Sequence, residues 1–252
     1  MTNINTLTPL DTEAELDRLA ARYSAAGGIG VQMLTLLGGK AEGLLDKLPA
    51  NVKSGLTDAT ERALNLAMRA ANTSRGAVGE QKPWVNTALT TVMGAAGGFG
   101  GLPSALVELP ATTTMLLRAI QDVAVAQGFD PASKSVQFDC IRVLAAAGPL
   151  AEDDGADLGF FSLRLTLTGG AMQRLIATVA PRLAAVLGQK LAAQTVPVLG
   201  AVAGATANYV YTSYYQEIAH VHFGLRRLAI DADLPHEDLA QRLAERMPKR
   251  LS

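Results

Sequence analysis

Cysteine, histidine, aromatic and charged residues are all scarce in this chain of 252 residues, and each scarcity removes a class of function. A single cysteine, Cys140, forbids any disulfide within the chain. It lies between Asp139 and Ile141 in an apolar helical stretch and reads as a small buried residue. The three histidines, His220, His222 and His236, all lie late. Glu217-x-x-His220 has the spacing used in di-iron carboxylate bundles, but that chemistry needs a second Glu-x-x-His, and the chain has none. No metal or cofactor is therefore expected. No Gly-Lys-Ser/Thr occurs, which leaves P-loop nucleotide hydrolysis without support. No Gly-x-Ser-x-Gly elbow or triad spacing is present either, and no catalytic residue is assigned. The net charge of −1 gives no basic footprint for nucleic acid. The opening residues lack a basic region followed by an apolar one, so no secretory signal is expected and the cytoplasm is the expected compartment.

What the chain does have is small apolar residues. Hydrophobic residues make up 49%, aromatics only 5% and charged residues 18%, with a mean hydropathy of +0.20. Alanine, leucine and glycine carry the apolar character, and small residues let helix backbones approach closely. Residues 1–11 read as a disordered lead-in, 12–246 as one helical domain and 247–252 as a tail.

Within that domain, Thr12-x-x-Glu15 is a capping-box pattern, and Gly27, Gly28 and Gly30 should break the helix it opens. The run over 51–76 carries helical periodicity, with Val52, Leu56, Ala59, Ala63, Leu66, Ala67 and Ala70 on one face, and 72–79 reads as a loop. Gln127-Gly128 is a helix stop, and Asp130-Pro131 should cap the next helix, which runs to about Ala147. Residues 158–170 read as a loop before a helix over 171–195 that contains Pro181. A turn at 231–235 precedes a short charged helix to Arg246.

Two segments, 83–107 and 191–216, are free of charge, and the first is long enough to span a bilayer. Glycine and proline interrupt both. The spacing predicts an all-α fold, a single-domain bundle of about seven to nine helices, with these two Gly/Pro-interrupted apolar segments packed at its centre.

The stretch 94–122 (GAAGGFGGLPSALVELPATTTMLLRAIQD) concentrates the candidate site residues. Gly97, Gly98, Gly100, Gly101 and Pro103 form a structural hinge that admits a sharp bend and close packing. A phosphate cradle is the competing reading, but GGFGGLP matches no nucleotide fingerprint. After the hinge stand three isolated charges, Glu108, Arg118 and Asp122. Arg118 and Asp122 are four residues apart and read as a solvated pair. Glu108, if it faces inward, must be paired or neutralised, because an isolated buried carboxylate is very costly. Asn208, Thr212 and Glu217 are the polar counterparts on the late helix, beside a patch holding four of the five tyrosines. Those tyrosines suit a membrane interface or a helix–helix interface equally.

Three stretches resemble the bacterial EcsC family: GGFGGLPSALVELPATTTMLLRAIQDVAVAQGFDP, VPVLGAVAGATANYVYTSYYQEIAHVHFGLRRL and, more weakly, LPANVKSGLTDATERALNLAM. Together they span about residues 45–230. The resemblance implies a helical protein linked to secretion and membrane processes and to an ABC transporter. It carries over no catalytic residues, and the family's molecular activity is unassigned.

The expected function is that of a non-enzymatic, membrane-associated or lipid-binding helical protein, peripheral to the inner membrane. Its partner would be a lipid surface or a membrane protein, with Glu108, Arg118, Asp122, Asn208, Thr212 and Glu217 as contact candidates. The alternative is a soluble enzyme or small-molecule binder with an apolar cavity near Glu108 and Glu217. A third reading is a homodimer formed through Ala/Gly faces.

Overall fold

The computed structural model describes residues 11–36, 46, 48–77, 109–146, 170–194 and 200–247. These hold seven α-helices: α1 (Thr12–Leu36), α2 (Ala50–Ala77), α3 (Leu109–Ala126), α4 (Lys134–Leu144), α5 (Ala171–Gln194), α6 (Gly200–Asp231) and α7 (His236–Arg246). No strand occurs among the described residues. The hinge Gly97, Gly98, Gly100, Gly101 and Pro103, the first charge-free segment and the 158–169 stretch lie outside them, as does Glu108.

Local chemistry sets the helix ends, not always at the residue the sequence suggests. α1 is capped by Asp11, whose Oδ1 accepts from the Glu13 and Ala14 amides at 3.1 Å each. It then runs through Gly27, Gly28 and Gly30 instead of breaking. Each interior glycine costs about 1 kcal/mol relative to alanine. Burial of Leu16, Leu19, Ala20 and Ala26 opposes that cost.

α2 continues to Ala77, through most of the expected loop. Its buried stripe is rotated from the expected one: Leu64 is buried and Leu66 is 49% exposed. The reason is Thr60, which sits fully inside because its hydroxyl donates to the Leu56 carbonyl at 2.8 Å. A residue that satisfies its own polar group can occupy the apolar face.

The glycine stop after α3 forms as the sequence predicts. Gly128 has φ +80°, its amide donates to Val125 O at 2.8 Å, and the Phe129 amide donates to Ala124 O at 3.0 Å, the paired bonds of a Schellman turn. The next cap differs. Asp130 closes a turn with the Ala132 amide at 2.9 Å, while Ser133 caps α4 through the Val136 amide at 3.3 Å. α6 ends in the same kind of turn with a non-glycine residue: Asp233 has φ 52°, and the Leu234 amide reaches Ala229 O at 3.1 Å.

α6 is 32 residues long, about 48 Å at 1.5 Å per residue. It packs against α1, α3, α4, α5 and α7, while α2 packs on α3 and α5. Two apolar cores result. The larger joins α2 to α5 with Tyr211, Tyr214, Tyr215, Ile218 and Phe223 of α6. The smaller joins Leu16, Leu19 and Ala20 of α1, Val221, Leu225 and Leu228 of α6, and Leu239, Ala240 and Leu243 of α7. Tyr23 touches both. At Gly224 the α1–α6 approach is so close that a Cβ there would lie 2.8 Å from Leu19 Cδ2.

Among the described residues one helix, not two, has the length and apolarity to cross a membrane. It is 171–192 in α5, and 67% of its apolar window is buried inside the bundle. It contains neither expected segment: the first lies outside the described residues, and the second runs mostly into α6, whose Asn208, Thr212 and Gln216 interrupt its apolar face.

Asp233 occupies a left-handed conformation that glycine adopts without a Cβ penalty. Asp233→Gly should raise stability by about 0.5 kcal/mol, read as a shift in the urea midpoint with unchanged m-value.

Candidate functional site

The structure distributes the sequence-derived site residues over several faces. Arg118 and Asp122 share one side of α3, but they are not a solvated pair: they are 5% and 7% exposed. The helix that carries them is buried almost all round, which the isolated charges concealed. Asn208 and Thr212 are buried on one stripe of α6. Glu217 lies about 140° around the same helix from Thr212, at 3.6 residues per turn. There it pairs with Arg22 of α1 through a short contact to the guanidinium Nε. Glu217 is thus a bond between α1 and α6, on a different face from Asn208 and Thr212.

The tyrosine patch is mostly interior. Tyr211 donates its hydroxyl to Val186 O at 3.2 Å, and burial pushes that phenol far above its ordinary pKa. Tyr214 and Tyr215 stack edge to face at 5.3 Å, and only Tyr209 is exposed. Lys190 of α5 is also interior at 3% exposure, its ammonium 3.5 Å from the Thr112 hydroxyl of α3.

A second ionic centre was not among the sequence-derived sites. It is built on Asp139 of α4. Arg226 Nη1 is 2.6 Å from Asp139 Oδ2, His222 Nε2 is 3.4 Å from Oδ1, and Arg142 Nη1 is 3.7 Å from Oδ1. The preceding turn holds this arrangement in place. Because Gly128 takes a left-handed conformation, Phe129 folds back to lie 5.6 Å from Phe223. The Arg226 guanidinium then stacks 4.6 Å above the Phe129 ring. Ser135 lies 3.5 Å from Arg226 Nη2.

Burial alone would push the Asp139 carboxyl up, but His222, Arg226 and Arg142 outweigh it and hold the group below the usual carboxylate range. Burial lowers Arg142 against the opposing pull of Asp139. Two spacings point to this centre: Asp139-x-x-Arg142 and His222-x-x-x-Arg226, each placing charge on one helix face. Read singly, each looks like an ordinary surface pair.

Among the described residues no group of three or more His, Cys, Asp or Glu is placed to hold a metal ion. The polar groups described above lie at helix contacts, where they orient one helix on another. This is an α-helical bundle with ionic groups set into its helix interfaces.

The chain belongs to the EcsC protein family, whose model matches residues 54–228, from α2 to near the end of α6. It is also similar to the uncharacterized protein YdbA of Bacillus subtilis (strain 168), with 27% identity over 216 residues covering 81% of this chain and 74% of that protein. No solved structure matches it.

Removing Asp139 takes away the carboxylate that Arg226, His222 and Arg142 share. Asp139→Ala should cost about 3 kcal/mol, measured by denaturant unfolding at pH 7.5. A carboxyl depressed in the folded state contributes fully above its unfolded pKa, so the variant's deficit should shrink as pH falls below about 4.

Proposed function

We propose that this protein is a non-enzymatic, membrane-associated helical protein that meets an anionic lipid surface through the outer face of α5. The observation that carries the reading is the composition of that helix. It is the membrane-length apolar helix among those described, and it holds Arg174, Arg182 and Lys190 with no acidic residue. Its exposed side presents Arg174, Ala177, Thr178, Pro181, Arg182 and Ala185, a surface of small side chains framed by arginines. Arginines whose stems lie along apolar surface and whose heads reach phosphates are a habit of interfacial helices. Membership of the EcsC family agrees with association at a membrane. On this reading residues 12–246 act as one domain at the cytoplasmic side of the inner membrane.

The polar contact candidates take a secondary role. Arg118, Asp122, Asn208 and Thr212 would shape the interior that faces a lipid headgroup or membrane-protein segment, together with Lys190. Glu217 would hold α1 on α6. A soluble small-molecule binder is favoured by the same buried polar groups, of which Lys190 beside Thr112 is the clearest.

Flotation with vesicles separates the two. The protein should rise with vesicles containing about one-third anionic lipid and stay behind with neutral ones, and added salt should release it. Each basic residue near such a surface is worth about 1 kcal/mol. Arg174→Glu combined with Arg182→Glu should therefore lower partitioning by at least about tenfold. Failure to float with either vesicle removes the membrane reading and leaves the small-molecule one.

A further inference from the structure

α1 and α7 are attached differently from the other helices. α7 and the first half of α1 belong to the smaller core, whereas Ala26 further along α1 is buried in the larger one and Tyr23 touches both. Both helices lie outside the family match at 54–228. They are tied to each other at the surface by Glu13 with Arg242 and Arg246, and by Asp17 with Arg246 at 2.9 Å. What they cover on α6 is an apolar stripe, Val221, Leu225 and Leu228, each buried. α7 is also weakly anchored at its start: Pro235 offers no side-chain cap, and the turn before it holds Asp233 in a left-handed conformation.

Each of the two attachments is built over a partly buried histidine among cations. His220 of α6 faces Arg22 and Arg18 of α1; Arg22 is paired with Glu217 of α6 and Arg18 with Glu15 of α1. His236 opens α7 and faces His222 of α6 and Arg142 of α4. The opposing anions there are Asp139, already taken by Arg226, and Glu237 of α7 itself. Glu217 is thus engaged by Arg22 and Asp139 by Arg226, so a proton added at either histidine meets a carboxylate that already has a cationic partner.

We propose that α7 and the first half of α1 form a clasp over the C-terminal half of α6 that opens when His220 and His236 take up protons, leaving the larger core folded. The inference is independent of whether α5 meets a membrane.

The linkage has a definite sign. Burial first, then the neighbouring cations, depress both imidazoles from about 6.5 to about 4. The closed clasp therefore keeps its full stability above about pH 6.5 and loses it as pH falls toward about 4, because the open form binds the protons more readily. Opening is local because the smaller core takes only Leu16, Leu19 and Ala20 from α1, while Ala26 beyond Tyr23 stays packed in the larger core.

Hydrogen exchange read by mass spectrometry on the full chain, at pH 7.5 and at pH 5.0, with rates corrected for the chemical effect of pH, tests this. Peptides from the first half of α1 and from α7 should lose protection by about tenfold or more at the lower pH, while those of α2 and α5 keep theirs. In a His220→Gln/His236→Gln protein, whose neutral side chains cannot take the proton, that loss should vanish. Each single substitution should remove part of it, and the single variants decide the matter if the double variant does not fold. Three outcomes overturn the proposal: protection in α1 and α7 that is the same at both pH values, a loss shared equally by α2 and α5, or glutamine variants that open like the parent.

Discussion

α6 has little face to give to water along most of its length, because five of the other six described helices pack against it. A helix in that position must satisfy different neighbours on opposite sides. Toward α3, α4 and α5 it presents Asn208, Thr212, Tyr215, His222 and Phe223, and toward α1 and α7 it presents Glu217, Val221, Gly224, Leu225 and Leu228. Its charges follow from this constraint. Two of its ionisable groups are met by a specific partner on a neighbour, Arg22 for Glu217 and Asp139 for Arg226. Buried charges so paired add less stability than apolar packing of the same volume would, but they fix which helix lies where. In a bundle dominated by alanine and leucine, whose surfaces are nearly interchangeable, such ionic pegs supply register that the apolar contacts do not.

The parts of this arrangement that could be read from sequence are those with local causes. The helical class, the stop at Gly128, the helix over 171–195 and the turn before α7 follow from residues acting on their immediate neighbours. Where tertiary packing or side-chain self-satisfaction decided the outcome, sequence reasoning went astray. Thr60 hides its hydroxyl in its own helix and turns the α2 face away from Leu66. The α1 glycines remain helical because α6 and α7 bury the helix that holds them. Arg118 and Asp122 looked solvated because their spacing suits a surface pair, and spacing says nothing of what covers a helix. The Asp139 centre needed three separate segments to meet, none informative alone.

The same logic bears on function. Among the described residues the pairs Arg22–Glu217 and Arg226–Asp139 hold helices together. On the proposed reading α5 is the part that meets anionic lipid, and α7 with the first half of α1 is the part that comes away from the rest. These two features sit on different elements, so a change in one need not alter the other.

Gly224 carries a consequence for how sequences of this kind can diverge. A Cβ there would lie 2.8 Å from Leu19 Cδ2, so a side chain at 224 requires the tip of Leu19 to shift. Leu19 belongs to α1, which precedes the region the family shares. A position inside the shared region is thus constrained by one outside it, and a smaller residue at 19 relaxes what 224 can hold.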